Sequence, residues 1–337
     1  MAVERILVTG ATGFLGHSLA AELAASGAVV RALVRPTSDV RQLQALGAEL
    51  APGDVTDAAS LEAALAGCDA VIHAAGLFRL WGAAGDFERT NVHGTANVLE
   101  AAGRLQVKRL VHISTLAVIG YPPAGQTLTE ATPCRPADAY QRSKLAGEDL
   151  VREYQRATGL PAVILRPGAF YGPWGRYAFN RLFFEDPLKG LLIQVHNGRR
   201  MTFPAFVPDV ARVCVAALRA GRPGAVYNVS GASLTHAEVN RTISCLAGLP
   251  AFRLNVPAAA MLALARWSTH RAERTGREPY YPLNLANYVF HDWRVSSALA
   301  ESDLGFRATP FEAGARQTLE WYWSAGLYRR RGARPIG

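Results

Sequence analysis

The sequence predicts an α/β fold built on a doubly wound parallel sheet, with a smaller lobe towards the C-terminus. Two observations predict the sheet. From Arg5 to about Arg166, short runs rich in Val, Ile and Leu alternate with amphipathic stretches, and a glycine-rich turn joins the first strand to the first helix. Strands buried on both faces form continuous apolar runs, and their alternation with helices is typical of parallel sheets. The ligand crevice of such a sheet lies beyond the carboxyl ends of its strands.

The first predicted domain covers residues 1–167. Its strands are RILVTG, AVVRALVR, AELAPGD, DAVIHAAG, VKRLVHIST and PAVILRPG. Its helices cover residues 15–25, 39–46, 58–65, 87–105 and 137–157. Each helix separates two strands, as a series of βαβ units requires.

The pattern changes after Pro167, since residues 168–205 are rich in aromatic residues, Gly and Pro and have no clear period. Beyond them we predict a strand in AVYNVSG and helices at 208–220, at 234–248 with Thr235 as its cap, at 257–271 and from about Thr309. We interpret residues 168–330 as mainly a substrate-binding lobe, with some segments returning to the sheet. Residues 331–337 form a predicted basic tail.

The composition is that of a soluble globular protein, with 50% hydrophobic and 19% charged residues in a chain of 337. No apolar run reaches the roughly 18 residues that a membrane span needs. The nearest is residues 256–267, which we expect to form a buried or interfacial helix, packed over the substrate cleft rather than on a membrane. Met1 leads directly into a strand-like run without a secretory signal, so we expect a cytoplasmic protein with no membrane association.

Metal and nucleic-acid binding are not predicted. The four cysteines form no CxxC pair, and the histidines show no ligand spacing. The net charge of +9 comes partly from the arginines of the terminal RRRGARPIG. Attraction for an anionic phosphate cofactor explains a further part, and no nucleic-acid-binding signature is present.

The glycine-rich turn VTGATGFLG, residues 8–16, follows the first strand and opens the first helix. Gly10, Gly13 and Gly16 allow a tight turn, close approach to a pyrophosphate, and close helix–strand packing. The N-terminus of the helix then offers free N–H groups to the anion. The turn therefore predicts a dinucleotide site in a Rossmann fold, and residues 1–167 are its binding domain.

The end of the second strand indicates which dinucleotide binds. An acid at this position would hold the ribose 2′-OH of NAD, whereas an arginine accommodates the 2′-phosphate of NADP. The chain has Arg35 here, followed by Thr37 and Ser38, and no acid before Asp39. NADP(H) is therefore preferred, with NAD(H) possible. The residues predicted around the cofactor from these motifs are Thr9, Gly10, Thr12, Gly13, Phe14, Leu15, Gly16, Arg35, Asp54, Val55, Ala74, Ala75 and Gly76.

Tyr140 and Lys144 stand four positions apart in AYQRSKLAGE, which puts both on one helix face. An ammonium near a phenol favours the phenolate and lowers the Tyr pKa, which suits a general acid or base. Ser114 and Thr115 end the fifth strand and supply hydroxyls for a substrate oxygen. In isolation the YxxxK pattern would also fit an ordinary helix surface.

Together these residues resemble the extended short-chain dehydrogenase/reductases. The resemblance rests on TGxxGxxG, a Ser/Thr at the end of the fifth strand, and YxxxK about 25 positions later. It continues in NVHGTANVLEAA, RPGAFYGP, PAFVPDVA and SSALAESDLGFRATPFEAG, and so covers nearly the whole chain. The segments VRALVRPTSD and GLFRLWG are most similar to dihydroflavonol-reductase-like and hopanoid-associated epimerase-like members.

The resemblance implies a role for each matching residue. Thr115 would be the catalytic hydroxyl, with Ser114 as a neighbour that could substitute. Tyr140 would be the general acid/base, and Lys144 would bind the nicotinamide ribose and lower the Tyr140 pKa. Pro167 and Gly168 would lie near the nicotinamide. Asn91 would be either a polar residue that supports the site or a helix N-cap. Residues 87–105 and 137–157 form dimer faces in resembling proteins, so we expect a homodimer.

Departures from the family pattern favour one reaction. Sugar-nucleotide dehydratases carry Asp-Glu after the catalytic Thr, where this chain has Leu116 and Ala117. Nucleotide-sugar epimerases usually keep a basic residue where this chain has Thr202. We therefore expect an NADP(H)-dependent oxidoreductase that interconverts a ketone and a secondary alcohol. The alternatives are a nucleotide-sugar epimerase with bound NAD and an NADP(H)-sensing protein without turnover.

The segments expected beside the nicotinamide are aromatic, which favours a lipophilic substrate over a sugar diphosphate. Some of these rings must belong to the core. The candidate substrate residues are Phe78, Trp81, Ser114, Phe170, Trp174 and Tyr177.

Overall fold

A computed structural model of the protein describes residues 4–329. At its centre lies a seven-stranded sheet in which every pair of neighbouring strands is parallel. In chain order the strands β1 to β7 are Arg5–Thr9, Val29–Val34, Glu49–Pro52, Ala70–His73, Arg109–Ile113, Ala162–Pro167 and Val226–Val229. Their order in the sheet is β3-β2-β1-β4-β5-β6-β7. This arrangement confirms the predicted doubly wound fold.

Helices cover both faces of the sheet. The principal helices α1 to α10 are Phe14–Ala25, Arg41–Ala45, Ala58–Leu65, Gly94–Arg104, Ala139–Thr158, Val207–Ala220, His236–Ala247, Ala258–Thr275, Ala298–Leu304 and Phe311–Ser324. Helices α1 and α6 pack together on one face, where Leu19 and Val210 are fully buried. Helices α3, α4 and α5 cover the other face around Leu61 and Val98. Two hydrophobic cores therefore hold the strand ends in fixed positions.

The segment predicted as one helix at 87–105 begins earlier and is not uniform. The helical turn Ala84–Phe87 continues into a π-helical segment, Glu88–His93, and then into α4. A π-helical segment changes the direction in which side chains point relative to a regular helix, and such segments are frequent at functional sites. Here it contains the buried Asn91.

Short strands and helices build the C-terminal lobe. The paired strands are Thr127–Leu128 with Arg294–Val295, Ala169–Tyr171 with Pro204–Phe206, Ile193–Gln194 with Leu254–Asn255, and Met201–Thr202 with Leu234–Thr235. The short helices are Arg181–Glu185 (π), Asp186–Leu188, Ala286–Val289, and 3₁₀ turns at Leu116–Ile119, His196–Gly198 and Leu283–Leu285. Segments α6, β7 and α9 pack on or within the central sheet.

The predicted helix starts in the lobe follow from local chemistry. The Thr235 hydroxyl accepts from the Glu238 N–H at 3.2 Å, and the Glu238 carboxylate accepts from the Thr235 N–H at 2.7 Å. This reciprocal capping confirms Thr235 as the cap of α7. Pro208 lies in the first turn of α6, where its missing N–H costs no hydrogen bond.

Helix α8 is more exposed than the sequence predicts. Met261, Leu262 and Ala265 face the lobe and line a small cavity. Leu264 and Trp267 retain 45% and 60% of their accessible surface. Among residues 4–329, no helix combines the length and hydrophobicity needed to cross a membrane. The predicted basic tail, 331–337, lies outside the described residues.

Candidate active site

A cavity of about 630 Å³ lies at the carboxyl ends of strands β1 to β6, between the sheet and the C-terminal lobe. This is the crevice expected of a doubly wound fold. Of the predicted cofactor residues, those lining it are Gly10, Thr12, Gly13, Phe14, Leu15, Gly16, Arg35, Asp54, Val55, Ala74, Ala75, Gly76, Tyr140, Pro167 and Gly168. Thr9 and Lys144 lie just behind this lining.

The glycine-rich turn forms a cradle whose backbone packs too closely against its neighbours to accept side chains at Gly10 and Gly16. Gly10 has a φ of +73°, and a Cβ there would lie 2.7 Å from the backbone nitrogen of Ala75. A Cβ on Gly16 would lie 2.2 Å from the carbonyl oxygen of Gly10. Gly13 is the N-cap of α1 and provides no side chain to cap its first-turn N–H groups. The turn thus leaves backbone donors for an anion, and it fits a dinucleotide pyrophosphate.

Thr9 supports this cradle from below. Its hydroxyl accepts from the Ala75 N–H at 3.1 Å and lies 2.8 Å from Nδ1 of His73. The Nε2 atom of His73 lies 3.0 Å from the Thr95 hydroxyl. Because it is fully enclosed, His73 has its pKa lowered to about 3 by burial. A neutral, hydrogen-bonded imidazole therefore joins β1, β4 and α4 beneath the loop.

Arg35 is an exposed side chain at the mouth of the cavity. Within the described residues its guanidinium has no hydrogen bond or salt bridge. The nearby Asp39 is bound by Arg41, whose Nε lies 3.0 Å from a carboxylate oxygen. That interaction lowers the pKa of Asp39 to about 2. Asp39 is thus neutralised by its own partner, and Arg35 remains an uncompensated cation.

Asp54 lines the cavity at the end of β3, but its carboxylate is already engaged locally. It accepts from the Thr56 N–H at 2.9 Å and from the Thr56 hydroxyl at 2.8 Å. The side chain therefore shapes the turn after β3. Both bonds use the same oxygen, Oδ1, so the second oxygen can still accept from a ligand.

Tyr140 and Lys144 lie in the first two turns of α5, and Asp138 is the N-cap of this helix. The Asp138 carboxylate accepts from the Gln141 N–H at 2.8 Å. Lys144 is buried, and its Nζ donates to the carbonyl oxygen of Ile113 at 2.7 Å. A Cβ on Gly76 would lie only 3.7 Å from that Nζ. Burial lowers the pKa of Lys144 to about 8.

The Tyr140 side chain is open to the cavity on one side. Burial raises the pKa of its phenol above the usual value, and a hydrogen bond with Thr115 opposes this only in part. The predicted lowering of the Tyr140 pKa by Lys144 is therefore wrong for this structure. The physical reason is that the ammonium is bound to the Ile113 carbonyl, while desolvation dominates at the phenol.

Ser114 and Thr115 are adjacent but differently engaged. The Ser114 hydroxyl donates to the Glu148 carboxylate at 2.6 Å. The Thr115 hydroxyl caps the following 3₁₀ turn by accepting from the Ala117 N–H at 3.2 Å. The proton of Ser114 is therefore held within the protein, whereas Thr115 lines the cavity beside Tyr140 and is not bound to a carboxylate.

A buried ion pair lies behind these hydroxyls. Arg166 donates from Nε and Nη2 to the two carboxylate oxygens of Glu148, at 2.8 and 2.7 Å. Arg152 adds a third contact at 2.7 Å. Burial alone would raise the pKa of Glu148, but the hydrogen bonds and charge of Arg166 hold it below its usual value. This network fixes β6 to α5, and so fixes Pro167 relative to Tyr140.

Aromatic side chains border Tyr140 on the substrate side. The Phe78 ring lies 4.8 Å from that of Tyr140 and 5.6 Å from that of Tyr177. The Tyr177 hydroxyl accepts from the Leu80 N–H at 3.0 Å and also bonds to Glu278. Phe170 lies 6.0 Å from Phe14, at the join between the cradle and the lobe. All of these side chains line the cavity: Phe14, Phe78, Phe170 and Tyr177.

Two predicted substrate residues lie elsewhere. Trp174 stacks on His17 at 4.6 Å, keeps 46% of its surface exposed, and is not part of the cavity wall. Its φ is positive, 72°, a backbone conformation that non-glycine residues seldom adopt. Trp81 is half-buried and also lies outside the wall, whereas its neighbour Leu80 is part of it. Neither tryptophan is placed to contact a substrate in the cavity.

The structure adds wall residues that the sequence did not single out. Phe203, His236, Leu285, Tyr288 and Val289 close the lobe side of the cavity. Most come from short, irregular segments without periodicity, so no local signal marks them. Phe184, in the aromatic stretch that the sequence places beside the nicotinamide, belongs instead to the aromatic core of the lobe and is fully buried.

Asn91 supports the site and does not cap a helix. It lies inside the π-helical segment, and its side chain accepts from the Leu77 N–H at 2.7 Å. It also donates to the Leu77 carbonyl at 3.1 Å and to the Ser143 hydroxyl at 2.9 Å. The N-cap alternative is therefore wrong. Asn91 instead ties the loop after β4 to α5.

No group of three His, Cys, Asp or Glu side chains within residues 4–329 is arranged to hold a metal ion. The four cysteines, Cys68, Cys134, Cys214 and Cys245, are all free thiols.

Comparisons with known proteins agree with this geometry. The model of the NAD dependent epimerase/dehydratase family matches residues 6–230. Sterol demethylase protein B of Methylococcus capsulatus is 33% identical over an alignment of 337 residues. The alignment covers 95% of this chain and 99% of that protein. The 4-hydroxy-2-methyl-3-oxo-4-farnesyl-3,4-dihydroquinoline-1-oxide ketoreductase of Stigmatella aurantiaca is 34% identical over 229 residues, 66% of this chain and 67% of that protein.

Among solved structures, DesIV, a dTDP-glucose 4,6-dehydratase from Streptomyces venezuelae with NAD and TYD bound, has a TM-score of 0.77. It is 26% identical, and the match covers 96% of this chain and 99% of that one. The family match spans the cradle, Thr115, Tyr140, Lys144 and β7. The chain therefore belongs to the NAD dependent epimerase/dehydratase family and is an NAD(P)-dependent enzyme of the extended short-chain dehydrogenase/reductase type.

Proposed function

We propose that this enzyme interconverts a ketone and a secondary alcohol on a lipophilic small molecule, with NADP(H) as cofactor. The observation that carries the proposal is the position of Tyr140. Its phenol lies at the inner end of the dinucleotide crevice, beside Thr115, and faces a wall made largely of aromatic and aliphatic side chains. Such a wall suits a lipophilic carbonyl compound better than a sugar diphosphate.

Tyr140 would give its proton to the carbonyl oxygen in the reductive direction. Burial keeps the phenol protonated at neutral pH, which suits a general acid. Thr115 would donate a hydrogen bond to the same oxygen and orient it. When bound, a reduced nicotinamide supplies hydride to the carbonyl carbon.

Lys144 would hold the nicotinamide ribose. Its Nζ uses one donor on the Ile113 carbonyl and keeps two for hydroxyl groups of the ribose. Gly76 leaves open space near that Nζ, where a larger residue would block the approach of a ribose.

Arg35 would select NADP(H) over NAD(H). It is a free cation at the end of β2, where a ribose 2′-phosphate would lie. The Ser38 hydroxyl, 3.5 Å from that of Thr12, lines the same part of the cavity and offers a further donor.

Dehydration is disfavoured because Leu116 and Ala117 follow Thr115. Both are buried and apolar, so neither can supply the acid that elimination of water requires. The Stigmatella relative is named as a ketoreductase of a farnesylated compound, and the name of the Methylococcus relative refers to a sterol. Both names favour lipophilic substrates for this chain.

The expected homodimer and cytoplasmic location are also proposals. Helices α4 and α5 pack side by side on one face of the sheet, and their outer surfaces would form the dimer contact. Native mass spectrometry of the purified protein would report the subunit count.

A panel of ketones with NADPH tests the reaction. We expect oxidation of NADPH that depends on the ketone and is fastest with apolar ketones. Turnover of nucleotide sugars with tightly retained NAD and no net redox change would instead establish the epimerase. Tight NADPH binding with no turnover of any carbonyl would favour a sensing protein.

A further inference from the structure

A second cavity of about 100 Å³ lies beyond the active-site cavity, between α7, α8 and residues 281–290. The two cavities share part of their walls: Leu182, Phe183, His236, Leu285 and Val289 line both. Four of these five shared residues are apolar. The second cavity is therefore an extension of the first, divided from it by one layer of side chains.

Most of the far wall of the second cavity is also apolar, and Gln194 and Asn240 are its uncharged polar residues. Helix α8 contributes Met261, Leu262 and Ala265. Asp186 is the carboxylate in this wall, and it is already paired, since it accepts from the Tyr281 hydroxyl at 3.0 Å and from the Tyr280 hydroxyl. Burial raises the pKa of Asp186. No free charge in the described wall would oppose an apolar ligand.

His236 marks the junction between the cavities. It is only 4% exposed, and its ring packs edge-on against Phe183 with centroids 5.3 Å apart. No hydrogen-bond partner of its ring nitrogens is found among residues 4–329. A neutral imidazole has one donor and one acceptor. It can therefore bond to a polar group of a ligand that passes between the cavities.

We propose that the second cavity holds the apolar far end of an elongated lipid-like ketone or secondary alcohol, whose reactive oxygen lies at Tyr140 and whose body passes His236. This inference rests on the proposed function and narrows its substrate class. A cavity of about 150 Å³ accepts the six carbons of benzene, so about 100 Å³ accommodates roughly four carbons. Small ketones would fill the first cavity alone.

A homologous series of methyl ketones with lengthening alkyl chains tests this. In the wild type, kcat/KM should rise by about fourfold for each methylene that becomes buried, until the second cavity is full. Ala265→Phe fills that cavity from α8. It should lower kcat/KM for the long ketones by about tenfold or more, while short ketones keep their wild-type kcat/KM. Ala263→Phe is the matched control, because Ala263 is exposed on the same helix and lines neither cavity.

Met261→Ala gives an independent result if Ala265→Phe does not fold. It enlarges the cavity, so the chain length of highest kcat/KM should increase. A wild-type kcat/KM that does not change with chain length would overturn the proposal, as would equal losses for short and long ketones in Ala265→Phe.

Binding of a long-chain secondary alcohol distinguishes a failure of the proposed reaction from a failure of the proposed role of the second cavity. If no ketone is turned over, the proposed reaction fails. The second cavity is then still judged by calorimetry: weaker binding of the long alcohol to Ala265→Phe than to Ala263→Phe supports it, and equal binding contradicts it.

Discussion

Lys144 and Ile113 join helix α5 to the sheet: the lysine Nζ on α5 donates to the carbonyl oxygen at the end of β5 at 2.7 Å. The contact lies one residue before Ser114 and two before Thr115. It sets the spacing between the helix that carries Tyr140 and the strand end that carries Thr115. It also holds a charge in an apolar environment, which lowers the pKa of Lys144 to about 8.

Lys144→Met should abolish turnover and weaken NADPH binding by about tenfold to a hundredfold, the usual effect of losing a hydrogen bond from a charged group. The free energy of unfolding at pH 7 should not fall. The folded-state pKa lies below the unfolded value, so the buried ammonium destabilises the fold below pH 8 by about 3 kcal/mol, and its removal offsets the lost bond to Ile113.

Urea unfolding and NADPH titration measure these effects. Lys189→Met serves as the control, since Lys189 is outside the cavity and pairs with Glu185 at 3.0 Å. A variant that unfolds much more easily but keeps full NADPH affinity would indicate that Lys144 is only structural.

Arg35→Asp should reverse the cofactor preference. The change removes the cation that would lie beside a 2′-phosphate and adds an acid that can accept from a ribose 2′-OH. We expect NADPH affinity to fall at least about tenfold and NADH affinity to be kept or increased. Dissociation constants for both nucleotides check this by fluorescence. Arg316→Asp makes the same change of charge at an exposed position outside the cavity. An unchanged ratio in Arg35→Asp would exclude this arginine from cofactor selection.

His236→Gln should flatten the pH dependence of stability. Burial lowers the pKa of His236 to about 4 in the folded protein, from an ordinary value of 6.5. Between these values the unfolded chain binds the extra proton, so the histidine destabilises the fold as the pH falls from about 6.5 to about 4. The free energy of unfolding of the wild type should lose about 2 kcal/mol more than that of the variant between pH 7 and pH 5.

Denaturant unfolding at the two pH values measures the difference. His270→Gln is the control, because His270 is largely exposed on α8. Parallel pH profiles for the wild type and His236→Gln would show that His236 is not enclosed as described, and would weaken its assignment to the junction of the cavities.

The sequence predicted the sheet because its signals are local. Most strands from β1 to β6 are apolar runs, and Thr235 caps α7 through contacts within three residues. The short strands of the lobe escaped prediction, since they are two or three residues long and pair with segments far away in the sequence, as Ala169–Tyr171 does with Pro204–Phe206. Tyr288 and Phe203 reach the cavity from such segments. The hydrogen bond from Lys144 to Ile113 depends on how the helix packs against the sheet. The spacing of residues along the sequence does not predict that packing.

Tyr140→Phe tests the central claim most directly. Single-turnover reduction of an apolar ketone should slow by about a hundredfold to ten-thousandfold, the contribution expected of a general acid. NADPH affinity should stay within about twofold of the wild type, and Tyr154→Phe, on the same helix but outside the cavity, should behave as the wild type. Full activity of Tyr140→Phe would contradict the account.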